Sequence, residues 1–386
     1  MAIRQRAVEG LAMSVFNDYF RGKKVFVTGH TGFKGTWLSL WLKELGAEVT
    51  GYSLEPPTQP NLFDQLGLSG KIHSVTGDIR DLNHLQQTVR QTEPEIIFHL
   101  AAQSIVRTSY SDSIDTVSTN ILGTANLLEA VRHAGSSVRI CQIISSDKCY
   151  ENDESGRAYH ENDRLGGRDL YSASKACAEI LVSSYRNSFF PESSQTSLSS
   201  VRAGNVIGGG DWSPDRILPD CIRALKKGEP ISVRNPKSSR PWQYVLDALS
   251  GYLLLAQRQG EGTSQFASAW NFGPDSPEGR TVEKLAECVI QEWGSGSWTT
   301  HQNRAKEDPY EAKFLRLDPS KANSILEWWT VYSAEEGVKE TVRWYRDTQK
   351  MGTDEIYQYS VKQIQTYTAK ASDRKLPWAI QEKALR

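Results

Sequence analysis

Three short patterns in this 386-residue sequence carry residue types able to do chemistry. The first is Gly29-His-Thr-Gly32-Phe-Lys-Gly35, between a β-branched run (Lys24–Thr28) and a helical pattern (Phe33–Leu45). Glycines there allow a tight turn and close approach of the backbone to a pyrophosphate, and the helix N-terminus adds free N–H groups and partial positive charge. Gly29, Thr31, Gly32, Phe33 and Gly35 are the predicted dinucleotide cradle. No Gly-Lys-Ser/Thr follows, so it is not a Walker loop. The second pattern is Tyr171-Ser-Ala-Ser-Lys175, whose ends share one helix face. A phenol ionises near pH 10. The Lys175 ammonium, with a cationic nicotinamide, is expected to lower that value and make Tyr171 a base. The third is Ser145-Ser146-Asp147-Lys148, which closes a strand with a hydroxyl, an acid and an amine. The C-terminal end of a parallel strand is where ligands bind in such sheets.

The elements that must position these groups alternate. Strands are predicted at Lys24–Thr28, Glu48–Ser53, Ile72–Thr76, Glu95–Leu100, Arg139–Ser145 and Leu198–Val206. Helices are predicted at Phe33–Leu45, Asp112–Ala134 and Tyr171–Phe189. This order implies an α/β fold: a Rossmann doubly wound parallel sheet with a smaller α/β substrate-binding domain. Residues 1–20 read as an N-terminal extension or tag, because Met1–Phe20 lacks the apolar core of a secretory signal. Residues 21–196 would form the dinucleotide-binding domain. Residues 197–386 would form mainly the second domain, with about 236–274 returning to the first. The acid expected after the second strand is replaced by Gly51-Tyr52-Ser53, so NAD and NADP are not separated there. Asp78 is read either as a contact to the adenine amine or as a helix cap.

Forty-five Lys+Arg against 46 Asp+Glu leave a net charge of −1, without the excess expected of a nucleic-acid or anionic-membrane binder. No apolar run reaches the roughly 18 residues of a membrane span. Five cysteines, an odd number with no C-x-x-C, fit a reducing cytoplasm rather than a disulfide framework. Neither the cysteines nor the scattered histidines predict a metal site.

The chain resembles the extended short-chain dehydrogenase/reductase family. The glycine motif, His99-Leu-Ala-Ala102, Asn120-Ile-Leu-Gly-Thr124, Tyr171-x-x-x-Lys175, Arg202-Ala-Gly-Asn205-Val-Ile-Gly208 and Arg240-Pro-Trp-Gln-Tyr-Val-Leu-Asp247 carry the resemblance, over roughly Gly22 to Tyr345. Within that family, Ser-Ser-Asp-Lys-Cys-Tyr-Glu and Gly-Asn-Val-Ile-Gly-Gly-Gly-Asp-Trp look like the dehydratases that act on CDP-glucose. The resemblance implies NAD, held also by Asp78, Ile79, Leu100, Ala101 and Asn120. It implies a nucleotide sugar held by Gln103, Asn205, Arg216 and Arg240, with Arg234 and Trp212 as weaker candidates. Tyr310, in Asp308-Pro-Tyr-Glu, stands where related enzymes have His. The reaction implied is oxidation at carbon 4 of the hexose, loss of water across carbons 5 and 6, and return of hydride to carbon 6. Tyr171 is the base of the first step and Ser146 bonds the oxygen on carbon 4. Asp147, its pKa raised by burial, is the acid of the second step, and Lys148 is its base or positions one. Asn120 would support the Lys175 side of a proton relay. The alternatives are a nucleotide-sugar 4-epimerase, a 4,6-dehydratase of another nucleotide sugar, and a dinucleotide-sensing regulator. A homodimer or homotetramer is expected through the two long helices, with Ile121, Ala125, Leu128, Ile180 and Tyr185 in core or interface.

Overall fold

The computed structural model describes residues 15–262, 264–274, 280–300 and 314–380. Seven strands form one all-parallel sheet in the order β11-β6-β5-β4-β1-β2-β3. They are β1 (Lys24–Thr28), β2 (Glu48–Ser53), β3 (His73–Thr76), β4 (Ile96–His99), β5 (Ile140–Ile144), β6 (Ser197–Ala203) and β11 (Ala269–Phe272). Every residue of β4 and β5 is buried, as expected for central parallel strands covered on both faces. The order reverses at β1, so the crevice beyond the C-terminal ends of β1 and β4 is the topological switch point.

The covering helices are α1 (Phe33–Glu44), the short α2 (Leu62–Gln65), α3 (Leu82–Thr92), α4 (Val106–Ser111), α5 (Ser113–Val117), α6 (Gly123–Arg132), α7 (Leu170–Ser188) and α9 (Val245–Gly260). Short strand pairs surround α8 (Ile217–Lys227) and α10 (Val282–Trp293): β7 (Val206–Ile207) with β10 (Gln243–Tyr244), β8 (Ile231–Val233) with β13 (Trp298–Thr300), and β9 (Ser239–Arg240) with β12 (Arg280–Thr281). The chain continues into α11 (Ala334–Asp347) and α12 (Thr353–Asp373).

The helix expected over Asp112–Ala134 runs from Ser113 to Arg132 as α5, a π turn and α6 without leaving helical geometry. Asp112 leaves helical geometry and caps α5 by accepting from the Asp115 N–H, the local bond that makes Asp a better cap than helix interior. A π turn over Ser118–Leu122 then turns Asn120 inward before α6 begins. The N-terminal reading is corrected. Phe16 and Phe20 are buried, and the Phe16 ring stacks on Trp378 at 5.0 Å, so Val15, Phe16 and Phe20 belong to the core and not to an extension.

α9 carries the charge that joins the C-terminal helices to the sheet. Asp247 is fully buried; its Oδ1 accepts from the Val331 N–H at 2.5 Å and from the Tyr367 hydroxyl of α12 at 2.8 Å. Burial raises its carboxyl to about 7, against the Val331 and Tyr367 donors. The native state then keeps a proton between about pH 4 and 7 that the unfolded chain releases, so stability falls as pH rises through that window. Asp247→Asn should remove about 3 kcal/mol of this fall. Urea unfolding at pH 4.5 and 7.5 checks it; an unchanged slope with pH would contradict it.

Candidate active site

The glycine loop fits the pyrophosphate of a dinucleotide. Gly29 has φ +72°, and a side chain there would meet the Ala101 backbone at 2.6 Å. A Cβ at Gly35 would lie 2.1 Å from the Gly29 carbonyl, so α1 packs directly on the turn. Gly32 caps α1 without a side-chain acceptor, leaving the first N–H groups of the helix for an anion. Thr31 is buried and bonds Ser53 Oγ at 2.8 Å and the Leu54 carbonyl at 2.9 Å. The missing acid of β2 has a steric reason: a Cβ at Gly51 would sit 2.2 Å from the His30 ring, which occupies that space and bonds Ser74.

Several expectations for this half of the site are corrected by its geometry. Asp78 does not cap α3; Asp81 does, accepting from the His84 N–H. The Asp78 carboxylate is engaged by Arg80, which holds it below the usual range and also binds Asp115 at 2.6 Å. The Ile79 side chain is buried against Gly123, so only its backbone faces a ligand role. Leu100 and Ala101 are half-buried at the end of β4. Asn120 donates to the Gln103 carbonyl and to Ser174 Oγ, and accepts from the Gln103 N–H. It therefore ties the π turn to α7 through Ser174, not to Lys175. The Gln103 side chain donates to the Ile105 carbonyl and Thr116 Oγ1 and accepts from the Ile105 N–H.

Beside this crevice lies a cavity of about 350 Å³. Ser146, Asp147, Lys148, Tyr171, Asn205, Arg216 and Arg240 all line it, from four separate stretches of chain. Ser146 donates to Asp147 Oδ1 at 3.0 Å and accepts from the Lys148 N–H at 3.3 Å, closing a tight turn after β5. Asp147 is buried. Burial raises its carboxyl above the usual range, while Lys148, the Ser146 hydroxyl and Arg240 act against that rise. Its Oδ2 lies 3.1 Å from the position of a Cβ on Gly204, so the absent side chain makes room for the acid.

The Tyr171–Lys175 pair departs from expectation. Burial pushes the phenol up to about 12, with the Ser146 hydroxyl and Arg216 acting the other way. Lys175 is not among the groups that lower it. Its Nζ donates to the Ile144 carbonyl at 3.4 Å, and burial lowers its own value to about 8.

Five arginines line the cavity: Arg107, Arg168, Arg216, Arg234 and Arg240. Arg216 reaches Ser104 at 3.4 Å and Asp211 at 3.7 Å. Arg107 and Arg234 share Asp215, at 3.7 and 3.4 Å. Arg107 was not legible in the sequence, where nothing separates it from other surface cations. Lys34 was also missed. It sits inside the glycine motif, and burial, Lys175 and Arg216 lower it to about 7, while Asp147 acts to raise it. Trp212 packs instead of lining the cavity: its Nε1 donates to Gln65 and its ring meets Tyr345 edge-on. Tyr310 lies outside the described residues.

A sequence model described as GDP-mannose 4,6 dehydratase matches residues 26–341. The CDP-glucose 4,6-dehydratase of Salmonella typhimurium is 46% identical over 334 residues, 85% of this chain and 92% of that protein. Two solved structures share the fold. One is the UDP-glucose 4-epimerase of Thermus thermophilus in complex with NAD, 24% identical over 83% of this chain and 98% of that one, with a TM-score of 0.71. The other is the dTDP-glucose 4,6-dehydratase of Bacillus anthracis in complex with NAD, 19% identical over 84% and 97%, with a TM-score of 0.69. The chain belongs to the GDP-mannose 4,6 dehydratase family of the extended short-chain dehydrogenases/reductases.

Proposed function

We propose that the protein is an NAD-dependent dehydratase converting CDP-glucose to CDP-4-keto-6-deoxyglucose. The observation that carries this reading is the buried Asp147, its pKa raised, on the same cavity wall as Tyr171. An epimerase has no use for an acid at that place. The identity of 46% with a CDP-glucose 4,6-dehydratase supports the substrate.

Gly29, Gly32 and Gly35 would hold NAD, which would supply the hydride acceptor for carbon 4 and the hydride donor for carbon 6. Tyr171 removes the proton of the 4-hydroxyl, and Ser146 hydrogen-bonds the oxygen that becomes the ketone. That ketone acidifies the hydrogen on carbon 5. Lys148 takes this proton or orients the group that does. Asp147 gives its proton to the hydroxyl leaving carbon 6, so one water is lost; as hydride returns to carbon 6 a proton is returned to carbon 5, and no net oxidation results. Arg216, Arg240, Arg107 and Arg234 suit the diphosphate, because a guanidinium fork binds phosphate bidentately. Asn205 lines the same end of the cavity. The five cysteines are free, which suits a reducing cytoplasm.

Tyr171→Phe should lower turnover of CDP-glucose by roughly a hundredfold or more while cofactor binding is spared, because the glycine loop is untouched. Wild-type turnover by this variant would overturn the assignment. Asp147→Asn and Lys148→Met should still pass hydride, so absorbance of reduced cofactor at 340 nm should build up while 6-deoxy product does not. Normal dehydration by Lys148→Met would place the carbon 5 base elsewhere. Faster turnover of dTDP-, GDP- or UDP-glucose than of CDP-glucose would overturn the substrate.

The assembly proposed is a homodimer or a dimer of dimers. Ile114, Leu122 and Ile180 are 77%, 52% and 55% exposed on α5, the π turn and α7, which form one apolar helical face. Ile121, Ala125 and Tyr185 are half-buried there, while Leu128 is in the core. Light scattering at micromolar concentration should give a dimer or larger, and Leu122→Glu with Ile180→Glu should shift it toward monomer. A wild-type monomer would contradict this.

A further inference from the structure

Directly behind the cavity wall lies a buried ion pair that the proposed chemistry does not use. Arg202 of β6 and Glu179 of α7 meet at 2.7 Å, with side chains 3% and 2% exposed. Glu179 stands one helical turn beyond Lys175 and also accepts from Ser200 Oγ at 2.7 Å. The other arm of Arg202 donates to the Tyr150 hydroxyl at 2.6 Å and to the Glu161 carbonyl at 3.0 Å. The guanidinium lies 4.9 Å from the Tyr150 ring centre. Tyr150 in turn donates to Asn271 Oδ1 at 2.8 Å and lines the cavity, three residues after Asp147.

Stability alone is a poor reason for such a pair. Desolvating two charges offsets most of their attraction, and well-packed apolar residues often serve as well. What the pair does supply is a fixed connection between the two halves of the site. One end sits on the helix of Tyr171 and Lys175, and the other holds the segment that follows Asp147 and Lys148. We infer that Glu179 and Arg202 are positioning residues: Glu179 acts through Lys175, keeping its amine charged, and Arg202 acts through Tyr150, fixing the loop that carries the acid. This inference rests on the roles proposed above for Tyr171, Lys175 and Asp147.

The groups facing Lys175 are Glu179 on its own helix, Cys149 after β5, His99 of β4 and Lys34 of α1. Burial lowers Lys175, and Glu179 is the main group opposing that fall, followed by Cys149. Arg202 and the Ser200 hydroxyl keep Glu179 ionised although burial acts against it.

The test uses the full chain labelled with ¹³C-lysine, with the Lys175 resonance identified by its loss in Lys175→Arg. In Glu179→Gln the titration midpoint of Lys175 should fall by about one pH unit. The alkaline limb of turnover with CDP-glucose and NAD should move the same way. Where that variant does not fold, Glu179→Gln/Arg202→Met removes both charges, and its midpoint should also fall. Arg202→Lys keeps the charge but loses the fork to Tyr150. It should leave the Lys175 midpoint near wild type while elimination slows several-fold and reduced cofactor builds up. An unmoved midpoint in the folded Glu179 variants, or elimination at the normal rate in Arg202→Lys, would overturn the inference. A wild type inert on nucleotide sugars, with the midpoint still shifted by Glu179→Gln, would leave the Glu179–Lys175 coupling standing and sink the functional reading instead.

Discussion

In the proposed reaction Asp147 must hold a proton when the hydroxyl leaves, and its burial, which raises its carboxyl, is the constraint on which that role depends. It rules out an exposed loop after β5. The chain instead turns tightly through Ser146, whose hydroxyl bonds the acid on one side and the Lys148 N–H on the other. It requires Gly204 across the cavity, since a Cβ would lie 3.1 Å from the carboxyl oxygen. It also limits how many cations can stand near the acid. Lys148 and Arg240 both favour its ionised form, and burial outweighs them.

The same dryness acts on the groups of the oxidation step, in the opposite sense to what they need. It pushes the Tyr171 phenol up and the Lys175 amine down, so neither is poised for proton abstraction by its helical spacing alone. Arg216 of the arginine-rich wall acts against the rise at Tyr171. The acid and the base thus place contrary electrostatic demands on one small volume. The fold meets them by putting the two on separate elements, α7 and the turn after β5, joined from behind by the Glu179–Arg202–Tyr150 connection.

Much of this was legible in the residues. The alternation of apolar runs and amphipathic stretches marked the parallel sheet, because buried strands and covering helices have different periods. The glycine spacing marked the turn from β1 into α1. The order Ser146-Asp147-Lys148 marked chemistry because it falls at a strand's C-terminal end. What escaped was information held by contacts far apart in sequence. Asn120 gave no sign that it would bond Ser174, 54 residues later. Phe16 looked like part of a leader until Trp378, over 350 residues later, supplied its stacking partner. The rise that burial imposes on Tyr171 was not legible, because sequence shows which charge is near, not how much water is gone.

The most direct measurement is product analysis after incubating the protein with CDP-glucose and NAD in deuterium oxide. Removal of the carbon 5 proton and its replacement from solvent predict CDP-4-keto-6-deoxyglucose with deuterium at carbon 5, seen as the loss of that proton's NMR signal. Recovery of CDP-galactose, or of a 6-deoxy product still carrying the original hydrogen at carbon 5, would contradict the account.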